Sequence, residues 1–220
     1  MNSFQGVEVI HNVIKTEIDG KIRLFTRSAY PPHYGERKIG EYREWLPYRS
    51  KLASIILSGF IPNIKRDIRL LYLGAATGTT ASHVSDILDR GVLYAVEYSP
   101  KPFQKFLRLA MERKNIIPIL ADAGNPESYS GIVEKVDFIY QDIAQRNQVE
   151  IFIRNFEFFG KSGSEGIVCI KAKSIDSTAE PDELYRKVIE SLESKFEIMG
   201  RGDLEPYHRD HTFISVRWRG

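Results

Sequence analysis

Leu70-Leu71-Tyr72-Leu73-Gly74-Ala75-Ala76-Thr77-Gly78-Thr79-Thr80-Ala81-Ser82-His83-Val84 is the stretch on which the fold reading turns. Four apolar residues read as a buried strand. A turn of small residues follows, and a helix is predicted to begin near Thr79 or Thr80. A strand that passes through glycines into a helix N-terminus brings bare backbone N–H groups close to a ligand. Glu97 stands about twenty residues on, after the apolar run Val92-Leu93-Tyr94-Ala95-Val96, where a carboxylate can accept hydrogen bonds from both hydroxyls of a ribose. The expectation is an adenosine-containing cofactor lying across the carboxyl ends of parallel strands.

A length of 220 residues fits one α/β domain, or one such domain with a small appendage. A net charge of +2 does not by itself announce a nucleic-acid partner, so any basic surface must be local. The single cysteine, Cys169, excludes an internal disulfide, and its apolar neighbours read it as a small buried hydrophobe. No apolar run reaches the ~18 residues a membrane span requires. The segment MNSFQGVEVIHNVIK carries no signal-peptide core, so a cytoplasmic protein is expected.

Residues 1–50 read as a small antiparallel β cap. Asp19-Gly20 is a type I′ hairpin signal between strand-like runs 13–18 and 21–26, and Pro31, Pro32 and Gly35 make 30–37 irregular. An edge of such a sheet is a natural place for a protein partner. From 41 to 59 the pattern turns helical, with Pro47 near a helix start and Lys51 in a first turn. That end of a helix is unfavourable for a cation, and on pattern alone Lys51 is a solvated lysine. Residues 51–220 then alternate as strands 70–73, 92–96, 116–120, 136–140 and 166–172 with helices 80–90, 100–113, 147–159 and 181–194. Two last strands, 196–199 and 212–218, have no room for a crossover and must pair antiparallel. The chain is therefore read as α/β: a Rossmann-like, mostly parallel seven-stranded sheet ending in an antiparallel strand. This arrangement resembles that of S-adenosylmethionine-dependent methyltransferases.

The turn lacks G-x-G-x-x-G spacing, which disfavours a nicotinamide cofactor, and no lysine follows its second glycine, which excludes a P-loop. Polar residues recur at successive strand ends: Gly74, then Glu97 with Tyr98, Asp122 with Ala123, and Gln141 with Asp142. Glu97 is assigned to the ribose, Tyr98 to packing on the adenosine, Asp122 to the adenine amine, and Ala123 to room for the ring. Each acid taken singly reads more often as a helix cap or a solvated loop residue; four in register are hard to explain that way.

Residues 71–86, Tyr94-Ala95-Val96-Glu97-Tyr98-Ser99, Ile139-Tyr140-Gln141-Asp142-Ile143-Ala144-Gln145, Ile170-Lys171-Ala172, Ser174-Ile175-Asp176-Ser177-Thr178 and Pro206-Tyr207-His208-Arg209-Asp210-His211 together resemble the motifs of fibrillarin, the box C/D ribonucleoprotein 2′-O-methyltransferase. The similarity spans essentially the whole chain, without the Gly/Arg-rich region of eukaryotic members, and so looks archaeal. It implies S-adenosyl-L-methionine as cofactor, held at Gly74, Ala76, Thr79, Thr80, Glu97, Tyr98, Asp122, Ala123, Asp142, Ile143, Ala144 and Gln145. It implies a catalytic set of Lys51, Asp142, Lys171 and His211. Lys171 and Lys173 share a strand face, and the family pattern, not spacing, selects Lys171.

These residue types suit the reaction, because a ribose 2′-hydroxyl is a weak nucleophile whose proton must be taken or held. On this reading Lys171 is the base or orienting group, Asp142 orients the lysines near the methyl, and Lys51 and His211 position the nucleotide. Arg37, Lys38, Arg43, Arg49, Lys101, Lys105 and Arg108 are candidates for a phosphate track, or simply a solvated basic face. No RNA-binding module is visible, so sequence choice must come from outside. The resemblance implies where: a box C/D guide RNA pairing with target ribosomal or transfer RNA, a Nop5 (Nop56/58-like) scaffold, and L7Ae. The rival readings are a protein (glutamine) methyltransferase and a non-catalytic ribonucleoprotein subunit.

Overall fold

A computed structural model describes residues 6–175 and 181–220. Two sheets organise the chain. The first is five-stranded and antiparallel, in the order β1 (Val7–Ile10), β2 (Val13–Ile18), β3 (Lys21–Arg27), β5 (Tyr42–Glu44), β4 (Lys38–Ile39). Asp19 and Gly20 both take positive φ, 53° and 70°, as the type I′ turn between β2 and β3 requires.

The larger sheet is made of β6 (Arg69–Leu73), β7 (Val92–Glu97), β8 (Ile116–Leu120), β9 (Val136–Gln141), β10 (Gly160–Lys171), β11 (Phe196–Asp203) and β12 (His211–Trp218), in the order β11-β12-β10-β9-β6-β7-β8. Only β12 runs against its neighbours, β10 and β11. After β6 the chain builds outward through β7 and β8, then returns to lay β9 on the other side of β6. That reversal opens a crevice between the carboxyl ends of β6 and β9, the place where open α/β sheets bind ligands.

The two faces of β6 show why its run is continuously apolar. Leu70 and Tyr72 belong to one buried cluster and Leu71 and Leu73 to the other, so successive side chains fill opposite sides of the sheet. The first face carries α1 (Lys51–Leu57), α2 (Thr79–Ile87) and α3 (Pro100–Met111). Its core continues unbroken through Ile10, Val13, Leu24 and Trp45 of the smaller sheet and its margin. The second face carries α4 (Gln148–Phe159) and α6 (Pro181–Glu193); α5 (Ala172–Ile175) is a short turn after β10.

The helical reading of 41–59 is corrected in its first half. Tyr42, Trp45 and Leu46 mimic helical spacing, yet 42–44 form β5, paired with β3 and β4. Pro47 holds Leu46 extended (ψ 118°), so a helix cannot run through from Tyr42. A 3₁₀ turn at Pro47–Arg49 and then α1 follow. β10 starts earlier than expected, at Gly160, with an irregular register before Glu165 that absorbs the expected loop 161–164. Asp176-Ser177-Thr178 of the quoted motif, and most of the expected loop 174–180, lie outside the described residues, as does the Lys173 side chain.

Between the sheets sits a buried ionic cluster. The Arg43 guanidinium donates to Glu36 Oε1 (3.0 and 2.8 Å), Asp86 Oδ2 (3.0 Å) and Ser82 Oγ (3.0 Å). Asp86 also accepts from Arg113 (2.7 Å), Ser28 (2.8 Å) and Thr26 (3.1 Å). Arg43 is therefore removed from the expected phosphate track: its side chain is fully buried.

Candidate active site

The turn after β6 needs its glycines. Gly74 (φ 92°) lies against the next strand end so closely that a Cβ would come 2.3 Å from the Asp142 carbonyl oxygen. Gly78 (φ 93°) precedes α2, and a Cβ there would come 2.6 Å from the Phe106 ring. Ala76 between them also takes positive φ, 49°. The Gly74 and Ala75 N–H groups donate to the Val96 carbonyl (2.9 and 3.0 Å), Tyr34 Oη donates to the Thr77 carbonyl (2.6 Å), and the Ala76 N–H donates to Glu97 Oε2 (2.7 Å).

Glu97 is the last residue of β7, and its other oxygen accepts the Ser99 N–H (2.7 Å). The carboxylate thus ties the turn after β6 to the turn after β7. Each carboxylate oxygen has two acceptor positions, so two remain for a diol.

A cleft of about 270 Å³ opens here, lined by Gly74, Ala76, Val96, Glu97, Tyr98, Ser99, Ala121, Ala123, Asp142, Ile143, Ala144 and Gln145. Nine of these were expected from the sequence; Val96, Ser99 and Ala121 were not. Three expected residues do not line it. Thr80 is buried with its hydroxyl donated to Ser50 Oγ (2.9 Å), which leaves it facing α1. Thr79, the first residue of α2, gives its carbonyl to Ser82 Oγ (2.8 Å). Asp122 is exposed and folds its Oδ1 onto the Gly124 N–H (2.8 Å) in a local turn, while its neighbours Ala121 and Ala123 face the cleft.

The donor set suits a sulfonium nucleoside. A carboxylate with two open acceptor positions, an exposed aromatic ring at Tyr98, and small residues at Gly74, Ala76 and Ala123 match a ribose, an adenine and the space both require. A pyrophosphate would want a cation or a nest of free N–H groups. Here the Ala76 N–H is already bound by Glu97.

Beside the cleft, Lys51 is not the solvated residue its pattern suggests. It is the first residue of α1, whose N-cap Ser50 accepts the Ala53 N–H (3.4 Å), and its Nζ reaches Asp142 Oδ1 at 2.7 Å. Both side chains are about four-fifths buried. Burial works to lower the Lys51 pKa, but the charge and hydrogen bond of Asp142 outweigh it and raise it, so Lys51 is an ammonium at neutral pH. Asp142 is set by its own backbone, whose N–H donates to the Leu73 carbonyl (2.9 Å) just beyond β9.

Lys171 ends β10 and His211 begins β12, and the two are direct cross-strand partners, so their side chains share a face. Lys171 Nζ has no ion pair or hydrogen bond among the described residues. His211 donates Nδ1–H to the Arg209 carbonyl (2.7 Å), which leaves Nε2 with a lone pair. Burial lowers its pKa, and Lys51 lowers it further, against the Arg209 carbonyl and Asp142. All four expected residues therefore stand at adjoining strand and helix ends on the rim where β9, β10, β12 and α1 meet. Cys169 sits behind them, its thiol pushed up to about 12 by burial and Asp142; it is a packing residue, as its neighbours in sequence implied.

Sequence reasoning missed Ser50, Tyr34 and His208. Ser50 carried a readable sign, a serine directly before a helical run. Tyr34 and His208 carried none, because their partners, the carbonyls of Thr77 and Pro47, are distant in the chain.

Residues 4–220 match the family model described as Fibrillarin. A fibrillarin-like rRNA/tRNA 2′-O-methyltransferase of Archaeoglobus fulgidus is 58% identical over 193 residues, covering 88% of this chain and 92% of that protein. The solved fibrillarin/Nop5p complex contains a chain 54% identical, with a TM-score of 0.91, covering 97% of this chain and 100% of that one. Aeropyrum pernix fibrillarin, solved with natively bound S-adenosyl-L-methionine, is 41% identical with a TM-score of 0.85, covering 96% of this chain and 99% of that one. With a family match over nearly its full length and relatives of this identity, the chain belongs to the fibrillarin family.

Proposed function

We propose that this chain is an RNA 2′-O-methyltransferase, the catalytic subunit of a box C/D guide ribonucleoprotein acting on ribosomal and transfer RNA. The observation that carries the reading is the buried Lys51–Asp142 pair, beside Lys171 and His211, at the mouth of a cleft suited to S-adenosylmethionine. The relatives named for rRNA/tRNA 2′-O-methylation support the substrate class, and the fibrillarin/Nop5p complex supports a Nop5 (Nop56/58-like) scaffold as partner. Guide RNA and L7Ae belong to the proposal, in keeping with a sequence in which no RNA-binding module is visible. The N-terminal five-stranded sheet is the proposed scaffold surface.

S-adenosylmethionine, when bound, supplies an electrophilic methyl group. Glu97 takes the ribose of the cofactor through its two open acceptor positions, and Tyr98 covers the adenine. Asp142 holds Lys51 as a fixed cation, which anchors the substrate ribose-phosphate and makes Lys51 a poor base. Lys171, with no carboxylate partner among the described residues, is the group that takes or orients the 2′-hydroxyl proton. His211, neutral and presenting Nε2, accepts a hydrogen bond that orients the nucleotide. Rate comes chiefly from placing the oxygen in line with the methyl group in a site that excludes water.

The test is methyl transfer from labelled cofactor to target RNA in a particle reconstituted with guide RNA, scaffold and L7Ae. Lys171→Ala is expected to abolish transfer with cofactor affinity unchanged. No incorporation by the wild-type particle would overturn the function, and a matching loss of cofactor affinity would overturn the role given to Lys171.

A further inference from the structure

Two tyrosines beside the Lys51–Asp142 pair have no part in the reaction as described. Tyr48 occupies the middle of the 3₁₀ turn Pro47–Arg49, which runs directly into α1 and Lys51, and 67% of it is exposed. Tyr207 comes from the other end of the chain, four residues before His211, and its ring meets that of Tyr48 edge-on at 5.1 Å and 77°. Neither residue lines the cofactor cleft.

The pair is rigid. Pro47 fixes the backbone at the start of the turn, and its carbonyl accepts from Ser54 Oγ (3.0 Å), the Ser50 N–H (3.2 Å) and His208 Nε2 (2.8 Å). One carbonyl therefore clamps together the segments bearing Tyr48 and Tyr207. His208 in turn stands 6.0 Å from the His211 ring. Single exposed apolar residues are ordinary on protein surfaces. Here a large aromatic is braced by a second one, held in a pinned turn, and set one turn of chain from Lys51.

The surroundings name the occupant. Arg49, whose guanidinium also donates to the Tyr34 carbonyl, and Arg209 are near neighbours of the two tyrosines in the chain and both exposed, while Lys171 and the Asp142-paired Lys51 stand on the same rim. A flat aromatic face with the exposed cations Arg49 and Arg209 beside it suits a polyanion with π faces. Such a platform accepts any base, because every base offers a ring to stack on. That tolerance is what an enzyme needs when the target is chosen by another component.

We infer that Tyr48, braced by Tyr207, is a stacking platform for a base of the substrate RNA next to the ribose being methylated. The inference rests on the RNA-methylation reading above. The experiment is steady-state methylation by the reconstituted particle, with cofactor affinity measured by calorimetry on the same proteins. Tyr48→Ala is expected to raise KM for RNA by about 5- to 150-fold, the usual worth of one stacked base. Cofactor affinity and kcat should change far less. Tyr48→Phe keeps the ring and should recover most of the loss, whereas Tyr48→Leu should not.

An unchanged KM in Tyr48→Ala would overturn the platform. So would a Phe variant as poor as Ala, which would assign the effect to the hydroxyl. A parallel loss of cofactor affinity would mark a collapsed turn, and lost scaffold association with KM for RNA intact would mark a protein contact; either refutes the inference. Wild-type particle run alongside separates the two readings. Incorporation by wild type with no effect of Tyr48→Ala overturns the platform alone. No incorporation by wild type overturns the methylation reading and the platform with it.

Discussion

Arg43→Met removes a buried guanidinium while keeping an unbranched side chain of similar reach. The cluster it belongs to holds two cations, Arg43 and Arg113, and two anions, Glu36 and Asp86, with side chains between 0% and 3% exposed. It is neutral as a whole, and the substitution leaves one cation with two anions in a water-free site. Glu36 loses both of its bonds to Arg43 and keeps only the N–H groups of His33 (3.1 Å) and Tyr34 (2.7 Å). Breaking a buried ion pair by deleting one partner costs about 3–5 kcal/mol, because the remaining charge stays desolvated. With a urea slope of about 2–3 kcal/mol/M, the unfolding midpoint should fall by roughly 1–2 M.

The assay is urea denaturation followed by far-UV circular dichroism and by tryptophan fluorescence, since Trp45 stacks on His83 (5.0 Å, 12°) close to the cluster. Coincident curves are needed before the midpoints are converted to free energies. Arg43→Met with Glu36→Gln restores a cluster of one cation and one anion, and should regain about half of the loss, a coupling within the ~0.5–3 kcal/mol expected of contacting residues. A single-variant loss below about 1 kcal/mol, or a double variant as poor as the sum of the two singles, would refute this reasoning.

Two further outcomes follow from the same geometry. Tyr34→Phe deletes the hydrogen bond to the Thr77 carbonyl and nothing else in the turn; a bond worth about 0.5–1.5 kcal/mol should weaken cofactor binding about 2- to 10-fold by calorimetry, and unchanged affinity would show that the glycine turn holds itself. Acidification should destabilise the fold. Burial first, then Arg43 and Arg113, hold the His83 pKa well below its usual value, and burial lowers those of His33, His208 and His211. Unfolded histidines take up protons near pH 6.5, so the unfolded state binds more protons from there downward, and the stability present above pH 6.5 is lost as pH falls toward the folded-state values. Lys51, raised by Asp142, contributes nothing in this window, because its stabilisation is complete below the unfolded lysine value and is lost only in strong alkali. Urea midpoints that stay flat or rise between pH 7 and 5 would contradict the assignment, and His83→Gln should flatten the slope.

Much of the architecture was legible in the chain because it rests on local chemistry. The apolar run 70–73 could only be a strand covered on both faces, and Asp19-Gly20 could only turn tightly, since both must adopt positive φ. Polar residues at successive strand ends converge whenever parallel strands are laid side by side, so Glu97 and Asp142 were found without knowing their distances. Lys51, Lys171 and His211 were chosen by resemblance; on pattern alone Lys51 was a solvated lysine and Lys171 could not be told from Lys173.

What tertiary structure decided was the state of each group. Sequence periodicity reports only neighbours three or four residues apart, and gave 41–46 a helical pattern because the demand for an extended β5 comes from its pairing with β3 and β4. Thr80 belongs to the motif yet gives its hydroxyl to Ser50. Lys51 stands at the unfavourable end of a helix because a carboxylate 91 positions away neutralises it there at 2.7 Å. The order of strands and helices and the kinds of side chain at their ends are written in the chain, since these follow from local propensity and burial. Charge, protonation and hydrogen-bond commitment depend on distance and desolvation, which exist only once the chain has brought remote segments together.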